Sequence, residues 1–192
     1  MMQVTDLAIP AVKKISVRRF GDARGWFCET YNQQRFADAG ITNNFVQDNQ
    51  SMSVEAGTLR GLHLQIPPFA QAKLVRVLSG RILDVAVDIR HGSPTFGKHV
   101  TIELDAAGGD MVLVPAGFAH AFLTLEPHTS VAYKVDAFYS PQCERGIIWN
   151  DPTLAIDWGI DPAKVLLSDR DKKHPPFSAV EPWFTFAQDR RS

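Results

Sequence analysis

Lys73-Leu-Val-Arg-Val-Leu-Ser-Gly-Arg-Ile-Leu-Asp-Val-Ala-Val-Asp88 decides how this chain folds. Two runs rich in β-branched residues, Lys73 to Leu78 and Arg81 to Asp88, flank the turn pair Ser79-Gly80. Such runs suit a pleated, half-buried surface, and the glycine supplies the turn between them. The same pattern continues outward: a turn at His91-Gly-Ser-Pro94, a run from His99 to Leu104, a Gly108-Gly109 turn, then Met111 to Val114, Ala121 to Leu125 and Ser130 to Val135. Short strands at this spacing predict an antiparallel sandwich or barrel. Helix is confined to Asn32 through Ala39, where an N-cap residue leads and Gly40 follows, with one further turn near Asp161-Pro162. From Asn150 onward, Asp-Pro pairs and tryptophans read as irregular structure wrapped over the body.

The chain has 192 residues, 45% of them hydrophobic, enough for one domain with its own core. Neither a linker nor a repeat divides it, so a single unit spanning 1–192 is expected. Twenty basic residues against twenty-one acidic ones leave a formal charge of −1, which recruits neither nucleic acid nor a membrane. No apolar run reaches the length of a membrane span and the start lacks a signal-peptide pattern, so cytoplasmic placement is the expectation. Cys28 and Cys143 are too few and too distant to form a disulfide framework and read as reduced thiols.

Polar residues on these apolar strands mark a site. From Gly57 to His63, and from Lys73 to Gly80, the spacing resembles the first motif of the cupins. Gly109-Asp-Met-Val-Leu-Val-Pro-Ala-Gly-Phe-Ala-His120 resembles the second, with Pro115 and Gly117 turning the chain to deliver His120 inward. The resemblance implies a mainly β fold: an antiparallel jelly-roll barrel, or double-stranded β-helix, with a few short helices. Metal-binding cupins present three histidines and a glutamate there. This chain keeps His63 and His120 but carries Gln65 for the second histidine and Lys73 for the glutamate. An ammonium offers a metal no lone pair and repels it, so neither metal nor cofactor is expected. A mildly cationic barrel suits a substrate that is an anion or becomes one during reaction.

Taken together, these residues make the chain resemble the dTDP-4-dehydrorhamnose 3,5-epimerase family from Phe20 to Asp171. The carriers include Gly21-Asp-Ala-Arg-Gly-Trp-Phe-Cys-Glu-Thr-Tyr31, Phe45-Val-Gln-Asp-Asn-Gln-Ser51, Leu59-Arg-Gly-Leu-His-Leu-Gln65, Asp84-Val-Ala-Val-Asp-Ile-Arg90, Pro115-Ala-Gly-Phe-Ala-His120 and Leu167-Ser-Asp-Arg-Asp171. The resemblance implies an isomerase acting on a dTDP-linked 4-keto-6-deoxy sugar, inverted at the two carbons beside the ketone. It makes His63 the base, Tyr133 the proton donor from the other face, Lys73 the cation at the enolate oxygen and Asp171 the partner that orients His63. It also assigns Arg24 and Arg60 to the diphosphate. Phe27, Glu29, Gln47, Asn49, His120, Tyr139, Glu144 and Arg170 join the contacts with the base, sugar or phosphates. A homodimer with exchanged N-terminal strands, each carrying its Arg24 to the partner, is implied in the same way.

From the residues alone, Tyr133 reads equally as a core tyrosine, Asp169 competes with Asp171, and Arg24 reads as a surface charge. Leu64 stands where the family usually has an aromatic after the base, and Ala121 where glycine usually follows His120. A lost ring and an added methyl beside the sugar would favour a single-carbon epimerase as the alternative. A metal-dependent cupin oxygenase or isomerase, or a non-catalytic sugar-nucleotide binder, are the alternatives from other classes.

Overall fold

The computed structural model describes residues 2–186. Its strands in chain order are β1 Gln3–Asp6, β2 Lys13–Ser16, β3 Arg19–Asp22, β4 Gly25–Cys28, β5 Gln47–Ser53, β6 Leu59–Gln65, β7 Lys73–Ser79, β8 Arg81–Asp88, β9 His99–Asp105, β10 Met111–Val114, β11 Phe118–Thr124, β12 Thr129–Val135 and β13 Glu144–Gly146. They build a six-stranded sheet, β1-β2-β10-β7-β12-β5, a five-stranded sheet, β13-β6-β11-β8-β9, and the separate hairpin β3-β4. The ladders of both large sheets are antiparallel, giving the cupin-like jelly roll.

Strand periodicity sorts the side chains into layers. Val75, Val77, Val112 and Val131 from the six-stranded sheet meet Ile82, Ala86, Phe118 and Phe122 from the other, filling the interior. The five-stranded sheet is apolar on its outer face too: Leu62, Leu64, Val85, Val87, Ala119, Ala121 and Leu123 lie under Trp149, Leu154 and Trp158 of the C-terminal segment. A third cluster packs Phe36 and Ile41 onto Ile15, Leu74, Met111 and Leu113. Fully burying one such aliphatic side chain is worth about 1.5–3 kcal/mol, so each layer contributes on the scale of a domain's net stability.

The two covered faces explain where sequence expectation and structure differ. All seven residues of β11 are buried, so no polar alternation marks its start; it runs from Phe118 to Thr124, where the sequence pointed to Ala121 through Leu125. The expected helix is α1, Gln33–Asp38, capped by Asn32, whose side chain accepts the Arg35 N–H. A 3-10 turn, Pro162–Lys164, follows Asp161, which caps it through Ala163 N–H.

Candidate active site

The site forms where β6 of one sheet faces β7 and β12 of the other. His63 on β6 pairs in register with His120 on β11. The register then slips, so that Phe122 opposes Arg60. Gly61 occupies this bulge with φ +126°, and a Cβ there would lie 2.5 Å from that of Ala121. Strict alternation would send Arg60 and His63, three positions apart, to opposite faces. The extra residue turns both inward: Leu59, Leu62 and Leu64 join the outer layer, and Arg60 reaches across to Ser53 Oγ and the Met52 carbonyl on β5.

A cavity of about 240 Å³ is lined by Gln47, Asn49, His63, Lys73 and Tyr133, with Tyr139 and Glu144 beside them. Asp171, at the start of the 3-10 turn Asp171–Lys173, places Oδ1 2.6 Å from His63 Nε2. Burial pushes the Asp171 carboxyl up, but hydrogen bonds and charge from His63, with Ser168, outweigh it and hold it below the usual range. An ionised carboxylate accepts, so Nε2 carries the proton and Nδ1 is left as the basic nitrogen. Asp169 is exposed and pairs with Lys172 at 3.2 Å, so Asp171 is the one of the two that stands beside His63.

Lys73 Nζ lies 3.4 Å from the His63 carbonyl. Burial lowers its pKa to about 8, against the partial pull of Asp84 and Glu144. Burial raises Tyr133, with Arg60 pulling the other way, so the phenol keeps its proton at neutral pH. Glu144 accepts from Tyr139 Oη at 2.6 Å and pairs with Arg170 at 2.7 Å. Burial alone would raise Glu144, but these two partners and the His63 charge hold it down. Gln47 donates to Asn49 Oδ1 at 2.9 Å and accepts the Tyr139 N–H at 3.1 Å, tying the second shelf of the cavity together.

Six of the expected contacts are outside the cavity lining: Arg60, His120 and Arg170 engage Ser53, Asp84 and Glu144, and the other three lie on a separate segment. Arg24, Phe27 and Glu29 belong to the N-terminal segment: Arg24 pairs with Asp22 at 2.6 Å, Phe27 is 69% exposed, and Glu29 pairs with Arg35. Within one chain they do not line the cavity. Leu64 and Ala121 also differ from expectation. Alternating with His63 and His120, they pack in the outer layer, and the Ala121 methyl covers Gly61. Leu64 borders the cavity without turning its side chain from that layer.

Sequence reasoning missed Asp84, whose buried Oδ2 lies 2.8 Å from His120 Nε2 and forms a second histidine–aspartate pair. Its signal was a charge inside the apolar run of β8. Gln65, read as a replaced ligand, has a structural task. Its amide donates to the Phe69 and Phe138 carbonyls and accepts the Ser140 N–H, pinning the loop that carries Tyr139. His174 escaped notice as well; its Nε2 lies 3.2 Å from Asp171 Oδ1. His63, Asp171 and His174 have ligand atoms within 4.8 Å of one another, but hydrogen bonds already join the three.

A jelly roll whose interior sets a histidine–aspartate pair against a tyrosine and a lysine holds the groups of a cupin-type acid–base enzyme. The sequence profile of dTDP-4-dehydrorhamnose 3,5-epimerase matches residues 6–179. The Pseudomonas aeruginosa enzyme of that name is 49% identical over 181 residues, covering 94% of this chain and 98% of its own. That of Sinorhizobium fredii is 44% identical over 191 residues, covering 97% and 95%. The structure of a dTDP-6-deoxy-D-glucose-3,5-epimerase from Legionella pneumophila, in complex with dTDP-4-keto-L-rhamnose, superposes with a TM-score of 0.92 at 40% identity, covering 98% of this chain and 100% of that one. The chain belongs to the dTDP-4-dehydrorhamnose 3,5-epimerase family.

Proposed function

We propose that this chain converts dTDP-4-dehydro-6-deoxy-D-glucose to dTDP-4-dehydro-L-rhamnose by inverting C3 and C5, in the supply of activated L-rhamnose. The observation that carries the residue roles is the 2.6 Å His63–Asp171 contact on one sheet's side of a cavity into which Lys73 and Tyr133 come from the other sheet. A proton beside a ketone is acidic because its loss gives an enolate, so inversion needs a base on one face, an acid on the other and a cation at the oxygen.

His63 Nδ1 takes the proton from the carbon, whose C–H pair moves into a C=C bond as the carbonyl pair moves onto oxygen. Asp171 stabilises the imidazolium, and the Lys73 ammonium stabilises the enolate oxygen. The enolate collapses by taking the Tyr133 proton from the opposite face, restoring the ketone with inverted carbon. The phenolate then regains a proton from solvent and the imidazolium loses one, so nothing is consumed. Repetition at the second carbon completes the reaction without a redox partner.

Arg60 and Arg170 suit the diphosphate as guanidinium forks, and Tyr139 suits a planar base. Phe20, Trp26 and Phe27 on the β3-β4 hairpin are 52%, 60% and 69% exposed, an apolar surface of the kind that marks an interface. A homodimer in which the hairpin reaches the partner's cavity would use Arg24, Phe27 and Glu29 there.

Incubation with the 4-keto-6-deoxy sugar nucleotide in heavy water tests the chemistry. Deuterium at C3 and C5 is expected; label at one carbon would identify a single-carbon epimerase, and binding without label would refute enolisation. His63→Ala should reduce exchange by about 10²- to 10⁴-fold. Tyr133→Phe should impair inversion while leaving some exchange at C3, and normal turnover in either variant would refute its role.

A further inference from the structure

The His63–Asp171 pair has a third member. His174 follows the turn Asp171–Lys173, and its side chain is 9% exposed. It reaches the same Asp171 oxygen as His63, at 3.2 Å against 2.6 Å, and the two rings stand edge to face with centroids 5.5 Å apart. The fold makes room for it: a Cβ on Gly146 would collide with the His174 ring. Gly146 is the β13 residue in register with His63, so the ring lies across the backbone of the strand next to the one that carries the base.

We propose that His174 is a positioning residue for this reaction, holding Asp171 Oδ1 on the His63 Nε2 axis and limiting how strongly that carboxylate draws protons to His63. An acceptor oxygen shared between two imidazole N–H groups gives less to each than it would give to one. Since Asp171 is ionised, His174 donates through Nε2 and leaves its own Nδ1 bare. Burial lowers the His174 pKa, and His63 and Arg170 add to that, with Asp171 opposing; the ring is thus neutral while the enzyme works. The other charges bordering its pocket are Lys173 on the same turn, with Glu144 and Arg145 on β13. Below neutrality, a proton on one ring would repel a second on the other, so the two rings do not protonate independently. The shared acceptor acts before either ring is charged, because it divides the pull of the Asp171 carboxylate between them.

This inference rests on His63 serving as the base, and its test has an arm that does not. In the free protein, proton resonances of His63 and His174 should titrate as a coupled pair, each ring sensing the other's protonation; independent single-step curves would overturn the proposal whatever the activity. In turnover, His174→Phe keeps a ring over Gly146 but removes the donor. The acidic limb of kcat/KM should then move up by roughly half to one pH unit. His174→Gln, which keeps an amide N–H at similar reach without a titrating charge, should return the limb most of the way. An unmoved limb in a folded His174→Phe enzyme would reduce His174 to packing. Loss of solvent exchange from the wild type would instead refute the enolisation reading.

Discussion

Among single residues, the proposed mechanism makes Lys73 the alkaline boundary of the chemistry. With its pKa lowered to about 8 by burial, it is an ammonium below that pH and neutral above it. With the cation stabilising the enolate as proposed, kcat/KM should fall as pH rises through about 8. Tyr133 is displaced upward and loses its proton only at higher pH, so the limb belongs to the lysine. Lys73→Arg, which stays charged, should carry activity past pH 9 in buffered kinetic profiles, whereas Lys73→Met should lose about 10²- to 10³-fold in kcat. An alkaline limb unchanged in the arginine variant would assign it elsewhere. Stability has its own sign. The folded protein holds this proton less readily than the unfolded chain, whose solvated lysine has the ordinary value of 10.5. Lys73 therefore costs stability below about pH 8, and the cost is relieved as pH climbs toward 10.5.

Among the elements, the bulge at Gly61 determines which side chains of β6 face the cavity. The motif Leu59-Arg-Gly-Leu-His63 shows a cation and an imidazole, but an even strand would direct only one of them inward. The shifted register brings both to the cavity side. Gly61→Ala would place a side chain at φ +126° against Ala121 and the His120 carbonyl. The loss should be about 2–5 kcal/mol from backbone strain and overpacking, read as a lower denaturation midpoint. Full stability in that variant would disprove the bulge. Gly61 and Ala121 therefore form a matched pair, and the alanine that looked like a change to the sugar pocket is a lid on the bulge. Such pairing was illegible in the sequence because it depends on the alignment of two strands sixty residues apart.

At the scale of the molecule, three apolar layers hold the site at the junction of the two sheets. The C-terminal segment serves twice: Trp149, Leu154 and Trp158 cover the five-stranded sheet, and the chain beyond them brings Asp171 to His63. Assembly is the remaining level. Sedimentation velocity should show a homodimer, and Arg24→Ala should weaken dTDP binding about tenfold or more while leaving the dimer intact. A monomer that binds dTDP with unimpaired affinity after that change would confine the whole site to one chain. The exposed hairpin aromatics and the distance of Arg24, Phe27 and Glu29 from their own cavity both bear on this expectation.

Local sequence was enough for the strands around Lys73–Asp88, the short capped helix, and the chemical kinds at the centre: a histidine, a tyrosine and a lysine where a metal set would need a carboxylate. These are local properties, written in β-branched runs, turn residues and caps. Only the closed fold sets which groups stand together. It put Asp171, not Asp169, beside His63, gave His120 its Asp84 and Asp171 its second imidazole, brought Arg60 to the same side as His63, and packed Leu64 and Ala121 into the outer layer. Each of those outcomes depends on register between distant segments and on which face of a strand is covered. No single segment encodes either, because both arise only when the two sheets close and the C-terminal segment packs over them.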